Sequence, residues 1–383
     1  METMQIQELL KVAVERKASD LHLKVGSPPV IRVDEKLIPL ADRPRLTAED
    51  TLAIAFSIMN SMQKEKFKQH GELDLAYSVA GLGRFRANIF QQRSTVAIVL
   101  RVIPMKIMSI AELNLPPVVE KLAMEPRGLI LVTGTTGSGK SSTLAAMIEH
   151  INSHRTGHII TIEDPVEFLH RDKMCLINQR EVGIDTESFS IALRSALRQD
   201  PDVILVGEMR DYETISTALV AAETGHLVMS TLHTLDATET IHRIISVFPP
   251  YQQKQVRLQL ASVIRGIISQ RLVPRADGMG RVPAVEVMVA TQTIREAIVD
   301  SEKTRKIPEV IAASVSQYQM QTFDQSLLKL YHSGLITYEE ALMRSSNPDD
   351  FALKVRGIES LTDQTWQQQE PPRVAGLERF TSG

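Results

Sequence analysis

Cysteine is nearly absent from this 383-residue chain, with Cys175 its single example. One thiol excludes an intramolecular disulfide framework and any site built from several cysteines, and it fits a reducing compartment. Aromatic residues are scarce at 4%. No charge of one sign dominates, because 43 Lys+Arg against 46 Asp+Glu leave a net charge of −3. No global basic field therefore advertises nucleic acid or a membrane surface, although that balance leaves room for a local patch. Long hydrophobic runs are missing as well. The longest, such as Val96–Leu100 and Val203–Val206, fall far short of the ~20 residues that cross a bilayer. The opening METMQIQELLKVAVERKASD is mixed and charged, without the apolar stretch of a signal peptide, so a cytosolic protein is expected. What is present is an ordinary globular composition, 43% apolar and 23% charged. It is enough chain for two or three domains of ~100–200 residues each.

The first hundred residues read as an α+β module. Ile6, Leu9, Leu10, Ala13 and Val14 recur at helical spacing. Short strand-like runs follow at Asp20–Leu23 and Val30–Val33, separated by Ser27-Pro28-Pro29. Thr47 precedes Asp50 by three residues and resembles a capping box at the start of a second helix. Asp74–Val79 and Gly83–Gln92 read as strands around a Gly-rich turn. Pro104, Pro116 and Pro117 break the periodicity, so a linker is expected over 104–117, after a domain covering 1–103. From 118 to about 290, short β-rich runs at Gly128–Thr133, His158–Ile162, Val203–Val206 and Leu227–Thr231 alternate with helical segments. That alternation predicts a mainly parallel sheet flanked by helices. Residues 291–345 read as helical and close a second domain, 118–360. The polar, Pro/Gln-rich stretch 361–383 reads as a flexible tail.

The strongest signal is Gly134-Thr135-Thr136-Gly137-Ser138-Gly139-Lys140-Ser141, which matches the P-loop pattern. The apolar run Leu129–Val132 precedes it and a helix-like SSTLAAMIEHI follows. Glycines let the backbone curl so that successive N–H groups face phosphates at a helix N-terminus. Lys140 is expected to reach the β- and γ-phosphates of ATP, and Ser141 to ligate Mg²⁺. Two acidic groups stand at strand ends, Glu163 after Ile159–Ile162 and Glu208 after Val203–Val206, where open α/β sheets bind ligands. One carboxylate there can hold Mg²⁺ through its waters while another orients the attacking water. Asp164 and Glu167 are less specific candidates. His226 and His233 flank Leu227–Leu232; either can sense a γ-phosphate by hydrogen bonding. A zinc pair is the other reading, without a supporting ligand cluster. Arg194 and Arg198 are spaced to share one face of a helical stretch over Ser188–Gln199, and Arg210 follows Glu208 by two. Such arginines can act as fingers toward a nucleotide in a neighbouring subunit, or simply be solvated. Arg84 and Arg86 fall on one strand face, where salt bridging is the simpler reading.

These residues resemble a known family. GTTGSGKSS, TIEDPVEF, LRSALRQDPDVILVGEMRD and ETGHLVMSTLHT are similar to the Walker A, Asp box, Walker B and His box of the type II/IV secretion ATPases. ASDLHLKVGSPPVIRV resembles that family's N-terminal PAS-like domain. Within the family, residues 1–355 are most similar to PilT-type retraction ATPases of type IV pili. The resemblance implies an α/β protein in which a PAS-like α+β domain precedes a RecA-like P-loop ATPase domain with a helical C-terminal region. It implies a homohexameric ring, with ATP bound between the two domains of one subunit and contacted by the next. It places Gly134–Ser142 at the nucleotide, Glu163 as catalytic base, Glu208 with Ser141 toward Mg²⁺, partly through water, and His226 and His233 as sensors. Arg194, Arg198, Arg210, Arg84 and Arg86 become candidates for charge neutralisation. The implied setting is the cytoplasmic face of the inner membrane, on a pilus platform protein, without membrane insertion or direct nucleic-acid contact. The implied work is pilin disassembly during twitching motility. One cysteine and a compact N-terminus argue against the assembly and type II secretion motors, which carry a four-cysteine zinc module. Thr293–Asp300 keeps the amphipathic shape of the retraction motors' AIRNLIRE helix but not its letters. An auxiliary retraction paralogue, a nucleotide-regulated binding module without turnover and a nucleic-acid translocase are the competing readings.

Overall fold

The computed structural model describes residues 5–33, 36–103 and 106–357. The expected tail at 361–383 and positions 104–105 of the expected linker lie outside the described residues. The chain divides into two compact units. One gathers the chain up to Ile107 with Ile162–Asp172 and Gln179–Ser188. The other gathers Met108–Thr161, Lys173–Asn178 and the chain from Phe189 onward.

In the first unit, α1 (Ile6–Glu15) buries Ile6, Leu9, Leu10 and Ala13, the stripe its spacing predicts. Next come β1 (Asp20–Leu23), β2 (Val30–Val33) and β3 (Lys36–Pro39), then α2 (Ala48–Ile58) and α3 (Ser61–His70). The segment closes with β4 (Glu72–Val79), β5 (Gly83–Gln92) and β6 (Thr95–Ile103). The capping box at α2 is present: Thr47 Oγ1 accepts from the Asp50 N–H, and Asp50 accepts from the Thr47 N–H. The six strands lie in the order β3-β2-β1-β6-β5-β4, antiparallel throughout. Phe85, Ile89, Ile98 and Leu100 from β5 and β6 pack with Leu21, Ile31, Leu9 and Leu10 in its core. Each such side chain contributes about 1.5–3 kcal/mol on burial.

The second sheet is built on β7 (Gly128–Thr133), after α4 (Val118–Ala123). Then follow α5 (Lys140–His154), β8 (Gly157–Glu163), β9 (Cys175–Glu181), α6 (Phe189–Ala196) and β10 (Val203–Val206). The chain continues through α7 (Tyr212–Glu223), β11 (Leu227–Leu232), α8 (Ala237–Ser246) and α9 (Pro250–Val263) to β12 (Ile264–Pro274) and β13 (Arg281–Val289). Helices α10 (Gln292–Val299), α11 (Ile307–Ala313), α12 (Val315–Tyr318), α13 (Phe323–His332), α14 (Tyr338–Arg344) and α15 (Pro348–Val355) complete it. The strand order is β13-β12-β7-β11-β10-β8-β9. Strands β12, β7, β11 and β10 run parallel, as the alternation predicts, and β13 is antiparallel to β12. Every residue of β7, β10 and β11 is buried, which is why they read as unbroken apolar runs rather than alternating ones. Ile110 and Leu115, in the stretch read as a linker, are buried in this unit's core. The chain leaves β11 and returns as β12 on the other side of β7. That reversal puts a crevice at the carboxyl end of β7.

Candidate functional site

Strand β7 ends at Thr133, and the next six residues turn the chain into α5. Three glycines make the turn with positive φ: Gly134 at 141°, Gly137 at 77° and Gly139 at 93°. At Gly134 a Cβ would lie 2.5 Å from Gln270 O and from Ser138 Oγ, so glycine is required there by contact as well as by dihedral. Gly139 caps α5 without a side-chain acceptor, which leaves the first N–H groups of the helix to an external anion. Lys140 is buried, and its Nζ donates to Gly134 O at 2.8 Å and Thr135 O at 2.9 Å. Thr135, Thr136 and Gly137 are exposed at the tip of the loop, and Ser141 and Ser142 are half-buried on the first turn of α5. Ser138 Oγ is buried without a hydrogen-bond partner. A cationic amine, a spare hydroxyl donor and an open helix start fit a polyphosphate and, through Ser141, a hydrated Mg²⁺ ion.

Beside the loop lies a cavity of about 210 Å³, bordered by Gly139, Ser142, Thr143, Gln270, Leu272 and Arg281, among others. Gln270 is buried on β12 and donates to Thr143 Oγ1 at 2.8 Å. The sequence reading missed these β12 residues, because a lone Gln inside an apolar strand carries no motif. The buried position itself would have been its only signal.

Strand β10 ends in Val206, and Glu208 follows after Gly207. Ser230 and Thr231 of β11 brace that corner by donating to Val206 O and Gly207 O at 2.6 and 2.7 Å. Glu208 Oε1 accepts from Arg210 Nε at 2.6 Å and lies 3.3 Å from His233 Nε2. Arg210 is 75% exposed, so solvent screening keeps this pair weak. In register, Leu232 of β11 sits beside Thr133 of β7. The P-loop, Glu208, Arg210 and His233 therefore share the carboxyl edge of one sheet. His226 does not join them. It precedes β11, at the far end of a strand that rises ~3.3 Å per residue, and its Nδ1 lies 2.9 Å from Ala221 O in the last turn of α7.

The remaining candidates are dispersed. Arg194 pairs with Glu213 at 2.7 Å on the surface. Helix α6 stops at Ala196, so Arg198 lies past its end, exposed, rather than on the expected shared face. In the other unit, Glu163 is the last residue of β8 and accepts from Gln179 Nε2 at 3.3 Å and from the Glu167 N–H at 3.4 Å. The Asp164–Pro165 peptide beside it is cis. Arg84 pairs with the buried Glu181, which also accepts from the Val166 N–H. Arg86 lies 3.9 Å from Asp74 with both side chains largely solvated. Among the described residues no group of three or more His, Cys, Asp and Glu is placed to hold a metal ion by itself. A zinc pair at the histidines is thereby corrected: the two stand at opposite ends of β11.

Comparison with known proteins matches the chain to the Type II/IV secretion system protein family over residues 2–343. The type IV pilus retraction ATPase PilT of Pseudomonas aeruginosa is 46% identical over 348 residues, 91% of this chain and 100% of the relative. The type IV pilus ATPase PilU of the same organism is 42% identical over 361 residues, covering 94% of each chain. A crystal structure of the pilus retraction motor PilT with bound ADP superposes with a TM-score of 0.84 at 50% identity, over 90% of this chain and 98% of that one. Its mixed α/β fold with two sheets is the fold described above. No helix among the described residues is long and apolar enough to cross a membrane. With the P-loop, the acidic strand ends and this nearly full-length match together, the chain belongs to the type II/IV secretion system protein family and is similar over about nine-tenths of its length to a pilus retraction ATPase of that family.

Proposed function

We propose that this chain is the subunit of a homohexameric motor that hydrolyses ATP to power type IV pilus retraction. In this reading 1–103 is a PAS-like domain, 104–117 a linker, 118–360 a RecA-like ATPase domain with its helical C-terminal region, and 361–383 a tail. The observation that carries it is the shared sheet edge of Lys140, Ser141, Glu208 and His233 in a chain similar to PilT over 91% of its length.

Backbone N–H groups of the loop and α5, with Lys140, grip the phosphates and neutralise charge as the γ-phosphoryl group leaves. Glu163 takes the proton of the attacking water. The water oxygen bonds to the γ-phosphorus as the bond to the β–γ bridging oxygen breaks, giving ADP and phosphate. Ser141, and Glu208 through water, would hold Mg²⁺, which would supply further charge neutralisation there. His233, against Glu208, responds to the loss of the γ-phosphate. His226 holds the α7–β11 turn. The arginines neutralise charge, with Arg198 the most available to a neighbouring subunit. The motor acts at the cytoplasmic face of the inner membrane on a platform protein.

The test is genetic. Deletion is expected to leave cells piliated yet unable to twitch. A strain without surface pili would move the assignment to the assembly motor. The match to PilU over 94% of both chains favours one second reading, an auxiliary retraction motor, which normal twitching after deletion would support. The ring itself is tested by mixing. Glu163→Gln subunits titrated into the unaltered protein should depress ATP turnover more than dilution explains. Strictly proportional loss would mean independent subunits.

A further inference from the structure

A carboxylate outside the motifs is tied to the same sheet edge. Glu286 lies on the outermost strand, β13, and is buried. Its Oε1 accepts from the backbone N–H of Ala237 at 2.9 Å. Ala237 is the first residue of α8, and only Thr234, Leu235 and Asp236 separate it from His233. That short loop is otherwise closed on itself. Leu235 N–H donates to Glu239 at 2.7 Å, Asp236 caps the Glu239 N–H at 2.8 Å, and Thr234 Oγ1 meets Thr240 Oγ1 at 2.6 Å. Among the described residues, Glu286 makes the hydrogen bond that ties this self-contained knot to the sheet.

The strand register shows what it is fixed to. Glu286 pairs with Ser269 on β12, and Ser269 pairs with Thr133 on β7. Thr133 Oγ1 donates to Ser269 Oγ at 3.0 Å, and Thr133 is the residue before Gly134. Registered neighbours share a sheet face. A single cross-strand row thus runs from the entry of the P-loop to the carboxylate that holds the His233 loop.

We propose that Glu286 is a positioning residue for ATP hydrolysis: it locks the His233–Asp236 loop to the row that ends in the P-loop, and so sets His233 against Glu208. The inference rests on the hydrolytic reading above. Burial pushes the Glu286 carboxyl up to about 7, helped by Asp236 at the α8 cap and Asp324 on α13, and opposed by the Ala237 N–H and by Arg271 on β12. A folded-state value raised above the ordinary one stabilises the fold below about 4.5, and that contribution is lost as pH rises through about 7. A neutral acceptor of the same shape keeps the bond to Ala237 without that loss.

The experiment uses the full chain with Glu286→Gln, Glu286→Leu and Ala237→Pro. The last removes the N–H donor and puts a ring carbon where the hydrogen met Glu286, at the first helical position, where the proline backbone suits a helix. Glu286→Gln is expected to keep kcat within about 3-fold and to gain thermal midpoint over the unaltered protein at pH 8 but not at pH 5. Glu286→Leu and Ala237→Pro are expected to lose roughly 10-fold or more in kcat, as positioning defects do, with little change in KM or in binding of a fluorescent ADP. Backbone amide exchange across 233–240 should quicken in both. Unchanged exchange and kcat in Ala237→Pro would overturn the proposal even if Glu286→Leu failed to fold, as would a Gln variant as impaired as Leu. A wild-type chain that does not hydrolyse ATP would count against the hydrolytic reading alone, because the exchange measurement still reads the loop.

Discussion

Replacing Lys140 with alanine is expected to lower ATP turnover by roughly 10²–10³-fold, the usual loss when one preorganised charge donor is removed from a reacting centre. Two effects add. The variant loses the cation proposed to meet the β- and γ-phosphates, and it also loses the clamp on its own loop, since the Lys140 amine ties Gly134 O and Thr135 O together. Hydrogen bonds to a charged group contribute about 1.5–3 kcal/mol each, so the loop should loosen and nucleotide binding should weaken in parallel. Glu163→Gln should fail differently. It keeps the size and hydrogen-bonding reach of the side chain but not the basic oxygen, so binding is retained while turnover collapses. Steady-state kinetics with equilibrium binding of a fluorescent nucleotide separates the two. A Glu163→Gln protein turning over at the unaltered rate would remove Glu163 from the role of base.

Gly134→Ala is expected to be severely damaging for a single added methyl group. The backbone there has φ of 141°, and the added Cβ would stand 2.5 Å from Gln270 O, a backbone atom of the neighbouring strand. Neither the dihedral nor the contact can relax without moving β12 off β7. A loss of about 3 kcal/mol or more follows from strain plus overpacking, with loss of nucleotide binding. Gly137→Ala is the control. Its φ is 77°, but nothing lies within 4 Å of the new methyl, so only the left-handed penalty of about 1–2 kcal/mol applies. Urea midpoints for the two variants measure the difference, and equal losses would show that dihedral strain alone governs the loop.

The parts legible in the sequence are those whose physics is local. The P-loop needs glycine at fixed offsets between a buried strand and a helix, and Thr47–Asp50 announces α2 because the cap is closed within four residues. Elements without a one-sided apolar pattern stayed hidden. Helix α3 buries only Phe67, and β3 is exposed along its whole length. Site geometry was legible only where strand ends carried it. Glu208 and His233 emerge at one edge because β10, β11 and β7 are parallel, whereas His226 is equally close to β11 in the chain and emerges at the other end. Gln270, Ser269 and Glu286 were invisible because their partners lie on strands and helices distant in the chain, and single polar letters in apolar runs have no period.

The partition of the chain has a covalent consequence. The backbone passes between the two units at 107/108, 161/162, 172/173, 178/179 and 188/189. No single cut separates them. A fragment starting at Met108 would carry Glu181 away from Arg84, stranding a buried anion that the intact chain neutralises. It would also leave 162–172 and 179–188 without the unit in which they pack. This molecule is stitched rather than strung.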